Sequence, residues 1–134
     1  MTDTISLLKT VRTGTMEASL RSDGVIQFVV PANTYVKLPG VVEAIEAIRE
    51  CGSGKRYPLL IIAGKDATMD TAAMSYMAKK TAETSTIALA CHIESISQKL
   101  LGNFYLKFNK PVKPTRIFTK MEDALEWLYP YRPH

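Results

Sequence analysis

The residue types that this chain has few of already narrow its chemistry. Among 134 residues there are two histidines and two cysteines, and neither cysteine lies in a C-x-x-C pair. The sequence therefore lacks the common zinc motifs, and it contains no Ser/His/Asp set and no H-E-x-x-H motif. Its seven glycines are scattered and form no phosphate-binding loop. We expect no catalytic residues, no metal and no cofactor, and hence a protein that is not an enzyme.

Long apolar runs and an export signal are also absent from the sequence. No run approaches the ~18–20 apolar residues of a membrane span. The beginning, MTDTISLLKTVRTG, lacks a positively charged start followed by an apolar stretch of about 7–15 residues, so it does not read as a signal peptide. We expect a cytoplasmic location and interpret Cys51 and Cys91 as buried free thiols. A disulfide or a reactive thiol is the alternative.

Acidic residues are missing from residues 95–121, which carry six of the 17 basic residues. Elsewhere 11 basic residues stand against 13 acidic ones, so the basic excess lies in this one segment. Cations beside aromatic side chains suit an acidic protein surface or an anionic headgroup. The residues that we assign to such a partner are Lys107, Lys110, Lys113 and Arg116. A solvated basic face is the alternative, and the patch is too modest to predict nucleic-acid binding.

The hydrophobic pattern predicts an α/β domain spanning residues 1–134. Alternating residues 15–20, the turn Asp23-Gly24 and the β-branched run 25–30 indicate an antiparallel hairpin. The unbroken apolar runs PLLIIA (58–63) and TIALAC (86–91) are typical of strands covered on both faces. Residues 115–118 form a last strand, and residues 1–13 are a frayed or edge segment. We predict a mixed five-stranded sheet in the order β-β-α-β-α-β-α-β-α, with the initial strand antiparallel.

Helices are predicted between these strands from apolar spacing and from end signals. The first begins near Pro39 and ends at Gly52, and Asp66 or Thr68 is expected to cap the second. The third runs from about Glu94 to Phe108, and Thr119 with Glu122 is predicted to form a capping box for the fourth. The predicted inward face of the third helix consists of Ile93, Ile96, Leu100, Leu101, Phe104 and Phe108.

The segment Gly102–Leu128, GNFYLKFNKPVKPTRIFTKMEDALEWL, resembles the ending of STAS-related, SpoIIAA-like domains, in particular a small uncharacterised bacterial subgroup. The element order extends this resemblance to the whole chain. The resemblance implies a SpoIIAA-like fold and a regulatory or protein-interaction role, since the superfamily includes anti-sigma-factor antagonists, cytoplasmic domains of anion transporters and sensor modules. Its fold is also similar to part of the CRAL-TRIO lipid-transfer domain.

The loop after the central strand departs from that family pattern. Phosphorylatable members carry a D-S-[ST]-G-like motif there, whereas this chain has GKDATMDT at residues 64–71. Thr68 and Thr71 are the remaining switch candidates. The residues of the predicted switch or interaction loop are Lys65, Asp66, Thr68, Asp70 and Thr71.

A small-ligand or lipid-binding module is the alternative to an interaction module. Side chains rich in methionine and aromatic rings would line an apolar cleft with a basic rim, where Lys110 and Arg116 would meet an anionic headgroup. The residues assigned to this cleft are Met74, Tyr76, Met77, Phe104, Tyr105 and Phe108. The expected partner is thus a protein or a small apolar or anionic ligand. A homodimer that covers the edge of the first strand is a further expectation.

Overall fold

The computed structural model describes residues 4–80 and 86–133. No helix within these ranges is long and apolar enough to span a bilayer. The strands are β1 (Leu7–Thr13), β2 (Met16–Arg21), β3 (Ile26–Val30), β4 (Tyr35–Val36), β5 (Tyr57–Ala63), β6 (Thr68–Met69), β7 (Thr86–His92) and β8 (Thr115–Phe118). The helices are α1 (Leu38–Cys51), α2 (Thr71–Lys80), α3 (Ile96–Phe108) and α4 (Met121–Leu128), followed by a 3-10 turn at Tyr129–Tyr131.

Six of the described strands form one mixed sheet in the order β1-β2-β3-β5-β7-β8. Strands β1, β2 and β3 are antiparallel, and β3, β5, β7 and β8 run parallel. Because the parallel strands follow one another across the sheet, right-handed crossovers place α1, α2 and α3 on the same face. Helix α4 covers β5, β7 and β8 from the other face. The short strands β4 and β6 pair separately, beside the sheet.

The predicted α/β class with a mixed sheet is confirmed, but the predicted number of five strands is wrong. The sixth strand is β1, which forms the edge of the sheet and pairs with β2 from Leu7 to Thr13. Leu7 and Leu8 are exposed in it, so it lacks the buried face that makes a strand visible as an alternating pattern. The segment treated as frayed or edge-like is thus an edge strand over residues 7–13.

The core consists of two apolar layers that the sheet separates. Along β5, Leu59 faces the three-helix layer while Leu60 packs under α4. On β7, Leu89 likewise faces the three-helix layer and Ala90 packs under α4. A strand that is covered on both faces needs apolar residues at every position, which explains the unbroken runs in the sequence.

Two of the predicted helix caps are wrong. Helix α2 begins after Asp70, whose Oδ1 accepts the backbone N–H of Ala73 at 2.7 Å, while Thr68 lies in strand β6. Helix α4 begins after Lys120 without a side-chain cap, so the Thr119 capping box does not form. The capping box of this fold belongs to α3, where Ser95 and Gln98 bond each other's backbone N–H groups.

The predicted inward face of α3 is also largely wrong. Ile96, Leu100, Phe104 and Phe108 are exposed, whereas Gln98 and Tyr105 are buried. The helix approaches the sheet at Gly102, where an added Cβ would overlap Cδ1 of Ile117 on β8. This close approach needs a residue without a side chain. The helix face that contains Gly102 therefore faces the sheet, and the face with the large apolar side chains faces solvent.

Candidate functional site

A cavity of about 110 Å³ lies beneath α3, between that helix, α2 and the sheet. Its walls are almost wholly apolar, and no charged residue of the described part of the chain lines it. Three methionines, one thiol and one phenol ring stand out among the lining side chains, namely Met69, Met74, Met77, Cys91 and Tyr105. A neighbouring cavity of about 60 Å³ under α1 shares Met69 and Met77 as walls.

Gln98 closes one end of this cavity and holds α3 to the loop after β5. Its Oε1 accepts the backbone N–H groups of Glu94 at 2.8 Å and of Ser95 at 3.0 Å. Its Nε2 donates to the carbonyl oxygens of Gly64 at 2.7 Å and of Ala67 at 3.0 Å. The amide therefore has no hydrogen left to offer a ligand. Gln98 was not predicted from the sequence, although the S-x-x-Q spacing at residues 95–98 is the sequence signal of a capping box.

Tyr105 lines the same cavity, and its hydroxyl is buried beside it. The residue is 6% exposed, and its hydroxyl has no hydrogen-bond partner among the described residues. Burial raises the pKa of Tyr105 to about 12, with a further contribution from the Cys91 thiol. Burial also raises the pKa of Cys91 to about 12. Both groups thus keep their protons at neutral pH, and Cys91 is not poised as a nucleophile.

The outward face of α3 carries a row of exposed apolar side chains that continues past its end. These side chains, which we call the α3 stripe, are Ile96, Leu100, Phe104, Phe108 and Val112, with exposures from 46% at Phe104 to 79% at Ile96. The ring centroids of Phe104 and Phe108 lie 4.5 Å apart. The Lys107 ammonium lies 5.6 Å from the Phe108 ring, so a cation borders the stripe directly.

The four cations assigned to an anionic partner lie in α3, in the connector after it and in β8. Lys107 borders the α3 stripe, and Lys110 is exposed in a turn where its φ is 47°. Lys113 is half-buried in the connector to β8. The guanidinium of Arg116 lies 5.4 Å from the Phe118 ring, on the α4 side of the sheet. None of the four lines the cavity beneath α3.

The structure brings together half of the residues assigned to an apolar cleft. Met74, Met77 and Tyr105 line the cavity. Tyr76 instead packs against the main core, and Phe104 and Phe108 point outward in the α3 stripe. The two sides of α3 thus divide the predicted cleft into an inner cavity and an outer apolar surface.

The predicted switch loop at residues 64–71 is held in place on several sides. The Asn33 N–H donates to the Lys65 carbonyl at 2.9 Å, and the Thr68 N–H donates to the Thr34 carbonyl at 2.9 Å. Asp70 caps α2 with its carboxylate, which disfavours a second anion at that helix end. The side chains of Lys65 and Asp66 are exposed, as is Thr71, while Thr68 contributes to the wall of the cavity.

Cys91 lines the cavity while its neighbour His92 pairs with Phe118 on the opposite face, so the thiol and the imidazole do not meet. Within residues 4–80 and 86–133, no three His, Cys, Asp or Glu side chains come close enough together to hold a metal ion.

Comparisons with known proteins support the fold. The model of a family described as a domain of unknown function, DUF7793, matches residues 19–132. An uncharacterised protein of the DUF3478 family from Shewanella loihica PV-4, with a SpoIIAA-like fold, is similar at a TM-score of 0.53 and 13% identity, covering 96% of this chain and 98% of that chain. This similarity confirms the predicted SpoIIAA-like fold.

A protein of unknown function from Arthrobacter sp. FB24 is also similar, at 22% identity and a TM-score of 0.31, over 83% of this chain and 96% of that chain. No curated protein matches the chain. The resemblance of residues 102–128 to a bacterial subgroup stays a prediction.

Proposed function

The chain belongs to the DUF7793 family, and on that premise we propose that it is a non-enzymatic protein-interaction module that docks its partner on the α3 stripe. The partner that fits this surface is an amphipathic helix whose apolar row is flanked by acidic residues. The observation that carries the proposal is the row of exposed large apolar side chains on a helix whose opposite side packs on α2 and β8.

Exposure is the first argument for a docking role. Monomeric proteins expose many single apolar residues, but contiguous apolar surface usually marks an interaction site. In the α3 stripe the Phe104 and Phe108 rings touch each other rather than the core. Aromatic residues, phenylalanine included, are enriched in protein interfaces relative to the rest of the surface.

The spacing of the stripe favours a helical partner. Ile96, Leu100, Phe104 and Phe108 follow one another at four-residue intervals, which forms a single ridge about 18 Å long. A ridge of this kind packs into the groove of another helix at an angle of roughly −50°. Helix recognition through anchors at such intervals is a common mode of peptide binding.

Charge selects among helical partners. Residues 95–121 contain no acidic residue, and Lys107 borders the stripe at Phe108. The nearby acid Asp66 accepts a hydrogen bond from Ser97 at 3.4 Å, at the start of the stripe. A second copy docked on this face would bring lysines against lysines, which opposes self-association there. An acidic helix complements the surface, and its association is expected to weaken as salt is added.

A designed peptide tests this proposal directly. The probe is a synthetic amphipathic helix with leucines at four-residue intervals and flanking glutamates, and binding is measured by calorimetry. We expect the triple variant Leu100→Ser, Phe104→Ser and Phe108→Ser to weaken binding by at least about tenfold. The matched control is Leu8→Ser, which removes an equally exposed leucine from β1.

Three further measurements separate the proposal from its competitors. The same peptide with lysines in place of glutamates should bind far more weakly. Equal binding of both peptides, or an unaffected triple variant, would contradict the proposal. Binding to phosphatidylserine vesicles but not to the acidic peptide would identify the surface as a membrane contact instead.

A phosphorylation switch, the regulatory version of this function, needs Thr71. Thr71 is exposed at the start of α2, whereas Thr68 is half-buried and lines an apolar cavity that would disfavour a phosphate. Mass spectrometry of the protein from its own cells tests this version. Phosphate at Thr71 supports it, and phosphate at neither threonine removes it.

A further inference from the structure

We propose that the cavity beneath α3 binds a small, uncharged, largely apolar molecule whose polar group hydrogen-bonds to the Tyr105 hydroxyl. This inference concerns the inner side of α3 and does not rest on the docking function of its outer side. Three properties of the cavity carry it: its size, its remaining polar group and the absence of charge from its described walls.

The volume of the cavity limits the size of the molecule that it can bind. Well-packed protein interiors contain few voids larger than a water molecule, so a cavity of about 110 Å³ is unusual. An apolar engineered cavity of about 150 Å³ in another protein binds benzene. The present cavity therefore suits a single ring or a short branched chain. Met69 and Met77 separate it from the neighbouring cavity, and their flexible side chains can move to admit a somewhat longer molecule.

Polarity places the anchor at Tyr105. The Gln98 amide, also in the wall, donates to two backbone carbonyls and accepts from two backbone N–H groups. The hydroxyl of Thr115 donates to the Lys113 carbonyl at 2.9 Å. The Tyr105 hydroxyl is buried and has no partner among the described residues. Thr68 also lines the cavity but is only half-buried. Buried hydroxyl groups are normally hydrogen-bonded, so we assign the anchor to the buried and unpartnered Tyr105 hydroxyl.

Charge excludes an anionic headgroup inside the cavity. No lysine, arginine or histidine of the described chain lines the cavity, and Lys110 and Arg116 lie elsewhere. An ionised carboxylate transferred into such surroundings would lose its hydration without gaining a counterion. The ligand is therefore neutral, which differs from the basic-rimmed site expected from the sequence.

Methionine methyl groups report on the cavity. Protein labelled with ¹³C at its methionine methyls is titrated by NMR with phenol, toluene and benzoate in turn. We expect phenol to shift the signals of Met69, Met74 and Met77 saturably. Met121 begins α4 and packs on the other side of the sheet, so it serves as the internal reference that stays unmoved. Benzoate should produce no saturable shift.

The variant Tyr105→Phe tests the anchor. It removes a hydroxyl that bonds to no described residue, so the fold should be retained, which a backbone amide spectrum checks. Its dissociation constant for phenol should rise about fivefold to tenfold, because one hydrogen bond is lost. Its affinity for toluene should not change.

Each contrary outcome overturns a separate part of the proposal. Phenol and toluene that cause no saturable shifts would show that the cavity is not a ligand site. Unchanged phenol affinity in Tyr105→Phe would remove the anchor, and saturable binding of benzoate would contradict the argument from charge. The triple variant of the α3 stripe should still bind phenol, so failure of the docking function and failure of this site are distinguishable.

Discussion

At the scale of single residues, Tyr129 ties the buried Arg21–Asp23 ion pair of the hairpin to a distant part of the chain. Arg21 donates from Nε to Asp23 Oδ1 at 3.0 Å and from Nη2 to Oδ2 at 2.8 Å. The two side chains are only 9% and 7% exposed. The Tyr129 hydroxyl donates to the same carboxylate at 3.0 Å. Asp23 therefore holds the hairpin turn against the 3-10 turn after α4.

The variant Asp23→Ala should be strongly destabilising. It would leave the Arg21 guanidinium buried without its counterion, which typically costs about 3–5 kcal/mol. Glu17→Ala is the matched control, since it removes the partner of the exposed Arg12 and should cost at most about 1 kcal/mol. Urea unfolding of both variants gives the two losses. Equal losses would mean that the Arg21–Asp23 pair contributes no more to the free energy of unfolding than a surface pair does.

Alkaline pH should weaken the protein through Cys91 and Tyr105. Burial holds both groups protonated up to a pKa of about 12, above their ordinary values of 9.0 and 10.0. Between those values and pH 12 the unfolded chain releases protons that the folded protein keeps, so the free energy of unfolding falls as pH rises. Urea unfolding at pH 8 to 11 measures the fall. Tyr105→Phe should show a shallower fall above pH 10, and an unchanged slope would contradict the contribution of Tyr105.

At the scale of elements, α3 presents different surfaces to the core and to solvent although its sequence is apolar on both. Leu100 belongs to the exposed α3 stripe, and its neighbour Leu101 lines the cavity. The same residue type at adjacent positions therefore offers a direct comparison of the two sides of one helix.

Alanine at these two positions should affect stability very differently. Leu100→Ala should change the free energy of unfolding by no more than about 0.5 kcal/mol, as expected for a surface position. Leu101→Ala enlarges an existing cavity and should cost about 2 kcal/mol or more. Thermal or urea unfolding of the pair measures the difference. A larger loss at Leu100 would show that the α3 stripe is buried in solution.

Most elements were predictable because their signals are local. The hairpin follows from Asp23-Gly24, where Gly24 adopts a φ of +84°, and the buried strands follow from their unbroken apolar runs. The side of α3 that faces the sheet was not predictable from local signals, because both sides of the helix are apolar. Gly102 opposite Ile117 decided it, and that contact joins a helix to a strand that comes later in the chain.

At the scale of the whole molecule, the described sheet has covered central strands and two open edges. Strands β5 and β7 lie between paired neighbours and under helices on both faces. Strand β1 pairs only with β2 and exposes Leu7 and Leu8. Such an edge invites pairing with another chain, and the homodimer expected there stays a prediction.

Hydrogen exchange should show that local stability decreases from the covered central strands to the edge strand β1. Amides of β5 and β7 should exchange slowest, close to the global unfolding limit, and those of β1 fastest among the strands of the sheet. Mass spectrometry or NMR provides the rates. Protection of β1 that increases with protein concentration would support the homodimer, while exchange of β5 as fast as that of β1 would contradict the layered core.

The sequence by itself determined the α/β class, the order of most elements and the basic character of residues 95–121, because apolar periodicity, turn residues and charge are properties of neighbouring positions. The tertiary structure alone decided which side of α3 faces the sheet, that Tyr105 keeps an unpartnered hydroxyl beside a cavity, and that Tyr129 donates a hydrogen bond to the buried Arg21–Asp23 pair. These features depend on contacts between residues that are far apart in the chain. Burial results from such contacts, so no single segment of the sequence determines it.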